Sequence, residues 1–145
     1  MKSAHILLVE DNPGDVSLVR AALDEAKLAN ELHVASSGDE AVAYLGKAGT
    51  SPEHPVPDLI LLDLNLPGMS GKEVLRVVRS TAATSTTPVV VMTSSEAERD
   101  IVESYELHAN CFVTKPLDFE KFVAIVQQVE EFWLTVVKLP RRAGR

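Results

Sequence analysis

Four apolar runs in this chain stop abruptly at polar residues of particular kinds. Residues 5–9 run into Glu10-Asp11, residues 59–62 into Asp63, residues 88–92 into Thr93, and residues 110–114 into Lys115. If the runs are parallel strands of one sheet, their carboxyl ends share an edge, where open α/β sheets place their chemistry. Carboxylates crowded there repel one another unless a cation joins them. Oxygen donors with no neighbouring His or Cys suit Mg²⁺, which keeps several waters and takes only a couple of carboxylates. Asp11 and Asp63 are the expected ligands, with Glu10 in support. A hydroxyl from Thr93 and an ammonium from Lys115 would meet the remaining oxygens of a phosphoryl group. The residues thus point to a phosphoryl-transfer pocket in which Asp63 is a nucleophile able to form an acyl phosphate.

Such a pocket needs elements that bring distant residues together. The run Leu59-Ile60-Leu61-Leu62 has no polar alternation and reads as a strand buried on both faces, as in the centre of a parallel sheet. After the first strand, Asn12-Pro13 predicts a helix start, with Asn12 as N-cap and Pro13 at the first helical position. Val16, Val19, Leu23 and Ala26 recur on one face of that helix, and Asn30 is expected to end it. Residues 31–35 form a weak second strand, and Ser37-Gly38-Asp39-Glu40 is a capping-box pattern opening the next helix. Residues 49–57 hold Pro52, Pro55 and Pro57 and predict a surface loop. Ser70-Gly71-Lys72-Glu73 is a further capping box, and residues 81–87 read as a polar Ser/Thr-rich linker. A fourth helix is expected from Ser95 through Ile101, Val102 and Tyr105, and a fifth with Phe122, Val126, Val129 and Trp133 on one stripe. Strict alternation of five strands and five helices predicts an α/β fold with a right-handed, doubly wound parallel sheet.

Length and composition agree with one domain: 145 residues, 46% hydrophobic and 24% charged. No apolar run approaches the ~20 residues needed to span a bilayer. The first residues lack a secretory cleavage pattern, and the single cysteine, Cys111, excludes an internal disulfide framework, so a cytoplasmic location is expected. The net charge is −7, yet the last eight residues carry Lys138, Arg141, Arg142 and Arg145 with no acid, leaving −11 on the first 137. An acidic body argues against nucleic acid as the main partner. Cys111 is expected to be a buried strand residue. The four histidines, His5, His33, His54 and His108, fall on different elements, which argues against a histidine metal cluster.

Taken together, the four patches resemble a response-regulator receiver domain over about residues 4 to 135. Glu10-Asp11 resembles that family's acidic pair, residues 62–71 (LDLNLPGMSG) its phosphoacceptor loop, Thr93-Ser94 its hydroxyl with a small neighbour, and Lys115-Pro116 its lysine with a cis proline. The resemblance implies a flavodoxin-like (βα)5 fold with strand order 2-1-3-4-5. It further implies that Asp63 takes phosphate from a sensor histidine kinase. Mg²⁺ would be held by the side chains of Asp11 and Asp63 and the backbone carbonyl of Asn65. Thr93 would hydrogen-bond the phosphoryl group and shift on activation, and Lys115 would pair with it. The aromatic switch position is Phe112, which lacks a phenolic hydroxyl, so its inward rotamer would be held by packing alone. The chain would catalyse only its own phosphorylation and dephosphorylation. A narrower similarity is to stand-alone receivers paired with bacterial phytochromes, through residues 9–15 (VEDNPGD), the Pro-rich insertion, and the ending from Glu131 to Pro140.

Other readings give different expectations. Phosphatases that form an aspartyl phosphate carry a second Asp two residues after the nucleophile, and here that residue is Asn65. A receiver-fold interaction module that is never phosphorylated, or a phosphate sink for another pathway, remain as alternatives. Residues 1–137 are expected to form the receiver with an extended last helix, and residues 132–145 a C-terminal arm and basic tail. Phe132, Trp133, Leu134, Val136, Val137 and Leu139 are too apolar to be left exposed, so the arm is expected to lie across a second subunit in a homodimer. No DNA-binding output domain is expected.

Overall fold

A computed structural model describes residues 3–93, 109, 111–115 and 118–129. The predicted fourth helix, Pro116, Leu117, Trp133, and the arm and basic tail at 132–145 lie outside the described residues. Five strands, β1 (Ala4–Val9), β2 (Asn30–Ala35), β3 (Leu59–Asp63), β4 (Val89–Thr93) and β5 (Cys111–Thr114), form one parallel sheet of order β2-β1-β3-β4-β5. This is the doubly wound flavodoxin-like order expected above. Helices α1 (Pro13–Glu25), α2 (Gly38–Lys47), α3 (Gly71–Ser80) and α4 (Phe119–Val129) cover its two faces.

The apolar side chains sort by face because strand residues alternate sides. Ile6, Leu8, Leu59, Leu61, Val90 and Met92 pack against Val19, Ala22 and Leu23 of α1 and Phe122 and Val126 of α4. Leu7, Val9, Ile60, Leu62, Val89 and Val91 pack against Ala41 and Leu45 of α2 and Val74, Leu75 and Val78 of α3. Every residue of β3 and β4 is buried, as their unbroken apolar runs require. Each fully buried Leu or Ile contributes about 1.5–3 kcal/mol relative to exposure.

The caps follow the sequence in most places. Asn12 Oδ1 accepts from the backbone N–H groups of Gly14 (2.8 Å) and Asp15 (3.2 Å), and Pro13 occupies the first helical position. At α3 the capping box closes in both directions, with Ser70 Oγ accepting from Glu73 N and Glu73 Oε1 from Ser70 N. At α2 the reciprocal bond is displaced: Ser37 Oγ accepts from Glu40 N, while Glu40 Oε1 accepts from Ser36 N.

Two expectations are corrected. The first helix ends at Glu25, not at Asn30, which opens β2. Lys27 takes a left-handed conformation (φ 59°), and the Leu28 and Lys27 N–H groups donate to Leu23 O and Asp24 O. This is a Schellman closure with lysine where glycine is usual. Residues 81–87, read as a polar Ser/Thr-rich linker, contain an ordered turn and two buried hydroxyl residues. Ala82–Thr84 forms a 3-10 turn, Thr84 and Thr87 are buried, and Thr84 Oγ1 donates to Val78 O at 2.8 Å. Arg79 Nη1 donates to Thr87 O at 2.7 Å and closes the segment from outside.

Candidate functional site

Strand register brings the polar ends together. Val9 lies opposite Leu62, Asp63 opposite Met92, and Thr93 opposite Thr114. Glu10 and Asp63 therefore emerge level with one another along the carboxyl edge, with Thr93 one residue step and Lys115 two steps further on. Glu10, Asp63 and Thr93 are buried, whereas Asp11 and Asn65 are exposed.

The loop after β3 is held so that the Asp63 carboxylate is fixed. Leu64 N donates to Met92 O, and Gly71 N donates to Leu64 O. Pro67-Gly68 turns the chain, with Gly68 at φ 72°, a region that glycine enters without steric cost. At Gly71 a Cβ would stand 2.3 Å from Asp63 O and 2.5 Å from Leu64 Cα, so only glycine lets α3 begin this close to the strand end. Asp63 Oδ1 accepts from Asn65 N at 2.9 Å, and Asp63 Oδ2 accepts from Lys115 Nζ at 3.0 Å. Asn65 Nδ2 donates to Thr93 Oγ1 at 3.2 Å, linking the β3 loop to the end of β4.

Lys115 is the electrostatic centre. Its Nζ lies 2.6 Å from Glu10 Oε1, 2.9 Å from Asp15 Oδ2 and 3.0 Å from Asp63 Oδ2. Burial alone would lower the lysine pKa, but hydrogen bonds to Glu10, Asp15 and Asp63 outweigh it and raise it above the ordinary range. Glu10 is pushed up to about 7, first by burial and then by the charge of Asp63, against the pull of Lys115.

The carboxylates of Glu10, Asp11 and Asp63 offer oxygens within 4.8 Å of one another. All are hard oxygen donors, and they carry more negative charge than Lys115 alone can balance, so the set fits a divalent cation such as Mg²⁺. Glu10, Asp11, Asp63, Asn65, Thr93 and Lys115 are all brought to this edge. Phe112 does not face the carboxylates; it is half-buried against the core on the α2/α3 side.

Two contacts were not anticipated. Asp15 is a third carboxylate on Lys115, and its signal was its position in the first turn of α1, directly after the Asn12 cap. Asn65 contributes its side chain to Thr93 as well as its backbone. Cys111, expected to be buried, is half-buried on edge strand β5, and burial raises its thiol pKa.

The histidines also depart from expectation. His5 on β1 pairs with Glu31 on β2, and His33 lies two residues further along the same face. Ligand atoms of His5, Glu31 and His33 fall within 4.8 Å of one another, at the end of the sheet opposite the acidic pocket.

The sheet and its polar edge define a receiver. The chain belongs to the response regulator receiver domain family, whose model matches residues 6–127. It is 43% identical over 135 residues to the response regulator Rcp1 of Synechocystis sp., covering 93% of this chain and 92% of Rcp1. Among solved structures it is similar to the phosphorylated cyanobacterial phytochrome response regulator RcpA, at 42% identity and a TM-score of 0.79, covering 92% of this chain and 96% of that one. The Mn²⁺-bound form of Rcp1 superposes with a TM-score of 0.77 at 41% identity, covering 92% of this chain and 96% of that one. Among the described residues no helix is long and apolar enough to cross a membrane.

Proposed function

We propose that the chain accepts a phosphoryl group on Asp63 from the phosphohistidine of a sensor kinase, in signalling of the phytochrome-linked type. The observation that carries this reading is the Lys115 ammonium, 3.0 Å from Asp63 Oδ2 and 2.6 Å from Glu10 Oε1, on an edge that also carries Thr93. The similarity to Rcp1 and RcpA supports the kinase class.

Each residue then has a task. Asp63 is oriented by the Asn65 N–H on one oxygen and by Lys115 on the other, which leaves lone pairs for attack at phosphorus. As the new P–O bond forms, the P–N bond to the donor imidazole breaks. Lys115 would exchange carboxylate contacts for the phosphoryl oxygens, and Thr93, released from Asn65 Nδ2, would turn its hydroxyl toward them. Mg²⁺ would be held by Asp11, Asp63 and the Asn65 carbonyl with Glu10 in support, and would neutralise charge on the phosphoryl oxygens. Movement of Thr93 toward the phosphate would free space for Phe112 to pack inward, biasing a two-state equilibrium.

The test is incubation with acetyl phosphate and Mg²⁺ followed by intact mass. An adduct of one phosphate in the wild type, absent in Asp63→Asn, is expected. An adduct that survives in Asp63→Asn, or none in either protein, overturns the assignment. Phosphotransfer from an autophosphorylated phytochrome-type kinase, compared with unrelated kinases, tests the partner class.

A further inference from the structure

At the amino-terminal end of the sheet, β1 and β2 place three ligand-type side chains on the face covered by α2. His5 lies opposite Glu31, and the alternation of a strand puts His33 on the same side as Glu31. The two imidazole rings are 5.8 Å apart, and donor atoms of His5, Glu31 and His33 lie within 4.8 Å of one another. Independently, His5 Nδ1 and His33 Nε2 are buried from solvent and have no hydrogen-bond partner among the described residues. A buried imidazole nitrogen without a partner is unfavourable, and native structures normally supply one. Backbone ties hold the site: His5 N donates to Asp58 Oδ2 at 2.9 Å, and Asp58 N donates to His5 O at 2.7 Å. Tyr44 of α2 stacks obliquely on His33, with centroids 5.6 Å apart, and its hydroxyl donates to Pro55 O.

We propose that His5, His33 and Glu31 form a binding site for a divalent transition-metal ion of the Zn²⁺ type, separate from the acidic pocket. Imidazole nitrogens with one carboxylate are a Zn²⁺ donor set, and they select against Mg²⁺, which takes oxygen ligands. Tetrahedral Zn²⁺ holds its ligands about 3.4 Å apart, so closing the cluster asks for small side-chain rotations. Glu31 is exposed and free to make the largest of these, while water takes the fourth position. Burial, and then the neighbouring His5, lower the His33 pKa, which keeps the ring neutral as a ligand must be. Along β1 the site is about 16 Å from Glu10, too far to share ligands with the carboxyl edge.

The test uses the full, untagged chain with Zn²⁺ alone as probe, in a large excess of Mg²⁺ that occupies the acidic pocket. Calorimetry is expected to show one Zn²⁺ per chain, weakened at least tenfold in His33→Gln and in Glu31→Gln. Glu31 is exposed, so its variant remains informative if the histidine change disturbs folding. Unchanged affinity in Glu31→Gln together with His33→Gln overturns the site. With Co²⁺ substituted, ligand-field bands without thiolate charge transfer are expected. A thiolate band would move the ion to Cys111 and equally overturn it.

Discussion

The two ends of this sheet handle buried polarity in opposite ways. At the carboxyl edge, Glu10, Asp63 and Thr93 are buried, and each is committed within the chain: to Lys115, to the Asn65 backbone, or to the Asn65 side chain. At the amino edge, two imidazoles lie with ring centroids 5.8 Å apart and leave a buried nitrogen apiece without a partner among the described residues. The first arrangement is an internally paired network in which three carboxylates share one ammonium. The second leaves ring nitrogens that nothing among the described residues satisfies. Mutual pairing thus characterises the carboxyl edge, and ring nitrogens left open among the described residues characterise the amino edge.

Removing the central cation breaks this comparison most directly. Lys115→Ala leaves Glu10, Asp15 and Asp63 without their shared counter-ion and is expected to destabilise the metal-free protein by about 3 kcal/mol. Urea unfolding in chelator measures it, and added Mg²⁺ is expected to restore part of the loss. Equal stability of the variant and the wild type in chelator would mean that Lys115 does not hold the network together.

A smaller effect comes from Glu10, whose pKa of about 7 means that it is partly protonated near neutrality when no divalent ion is present. Mg²⁺ favours the carboxylate, so binding displaces that proton. Affinity is therefore expected to rise with pH through about 7 and to weaken by at most about tenfold from pH 7.5 to pH 6. Calorimetry in buffers of different ionisation enthalpy reads the released proton, and Glu10→Gln is expected to abolish the release.

The smallest effect belongs to the other end. Tyr44→Phe removes the hydroxyl bond to Pro55 O and is expected to cost about 1 kcal/mol at neutral pH. Burial pushes the Tyr44 phenol up from 10.0 to about 12. The folded state thus keeps a proton that the unfolded chain loses. This contribution is complete below pH 10 and disappears as pH rises toward 12. Alkaline unfolding followed by circular dichroism is expected to be shallower over that window in Tyr44→Phe.

What was legible in the sequence follows the same division. Strand ends advertise themselves, because an apolar run cut off by an acid, a hydroxyl or a lysine is a one-dimensional signal, and four of them identified the carboxyl edge. The His5, Glu31 and His33 cluster depends on the pairing register of two strands separated by a helix, which no local pattern states. Element boundaries failed where a residue did an unusual job. Lys27 closes α1 in a conformation normally left to glycine, so Asn30 looked like the stop. The 81–87 segment read as a polar linker from its hydroxyls alone, yet Thr84 donates its hydroxyl to a buried carbonyl. Asp15 was read only as the last residue of the 9–15 motif, when its carboxylate also crosses to Lys115.

Gly71 gives the carboxyl edge a property of a different order. The space a methyl group would occupy is already filled by the Asp63 carbonyl and the Leu64 backbone. The start of α3 and the strand end that presents Asp63 therefore touch backbone to backbone, with no side chain between them to yield. The spacing between strand end and helix start is therefore set by backbone against backbone, like two machined faces with no gasket between them.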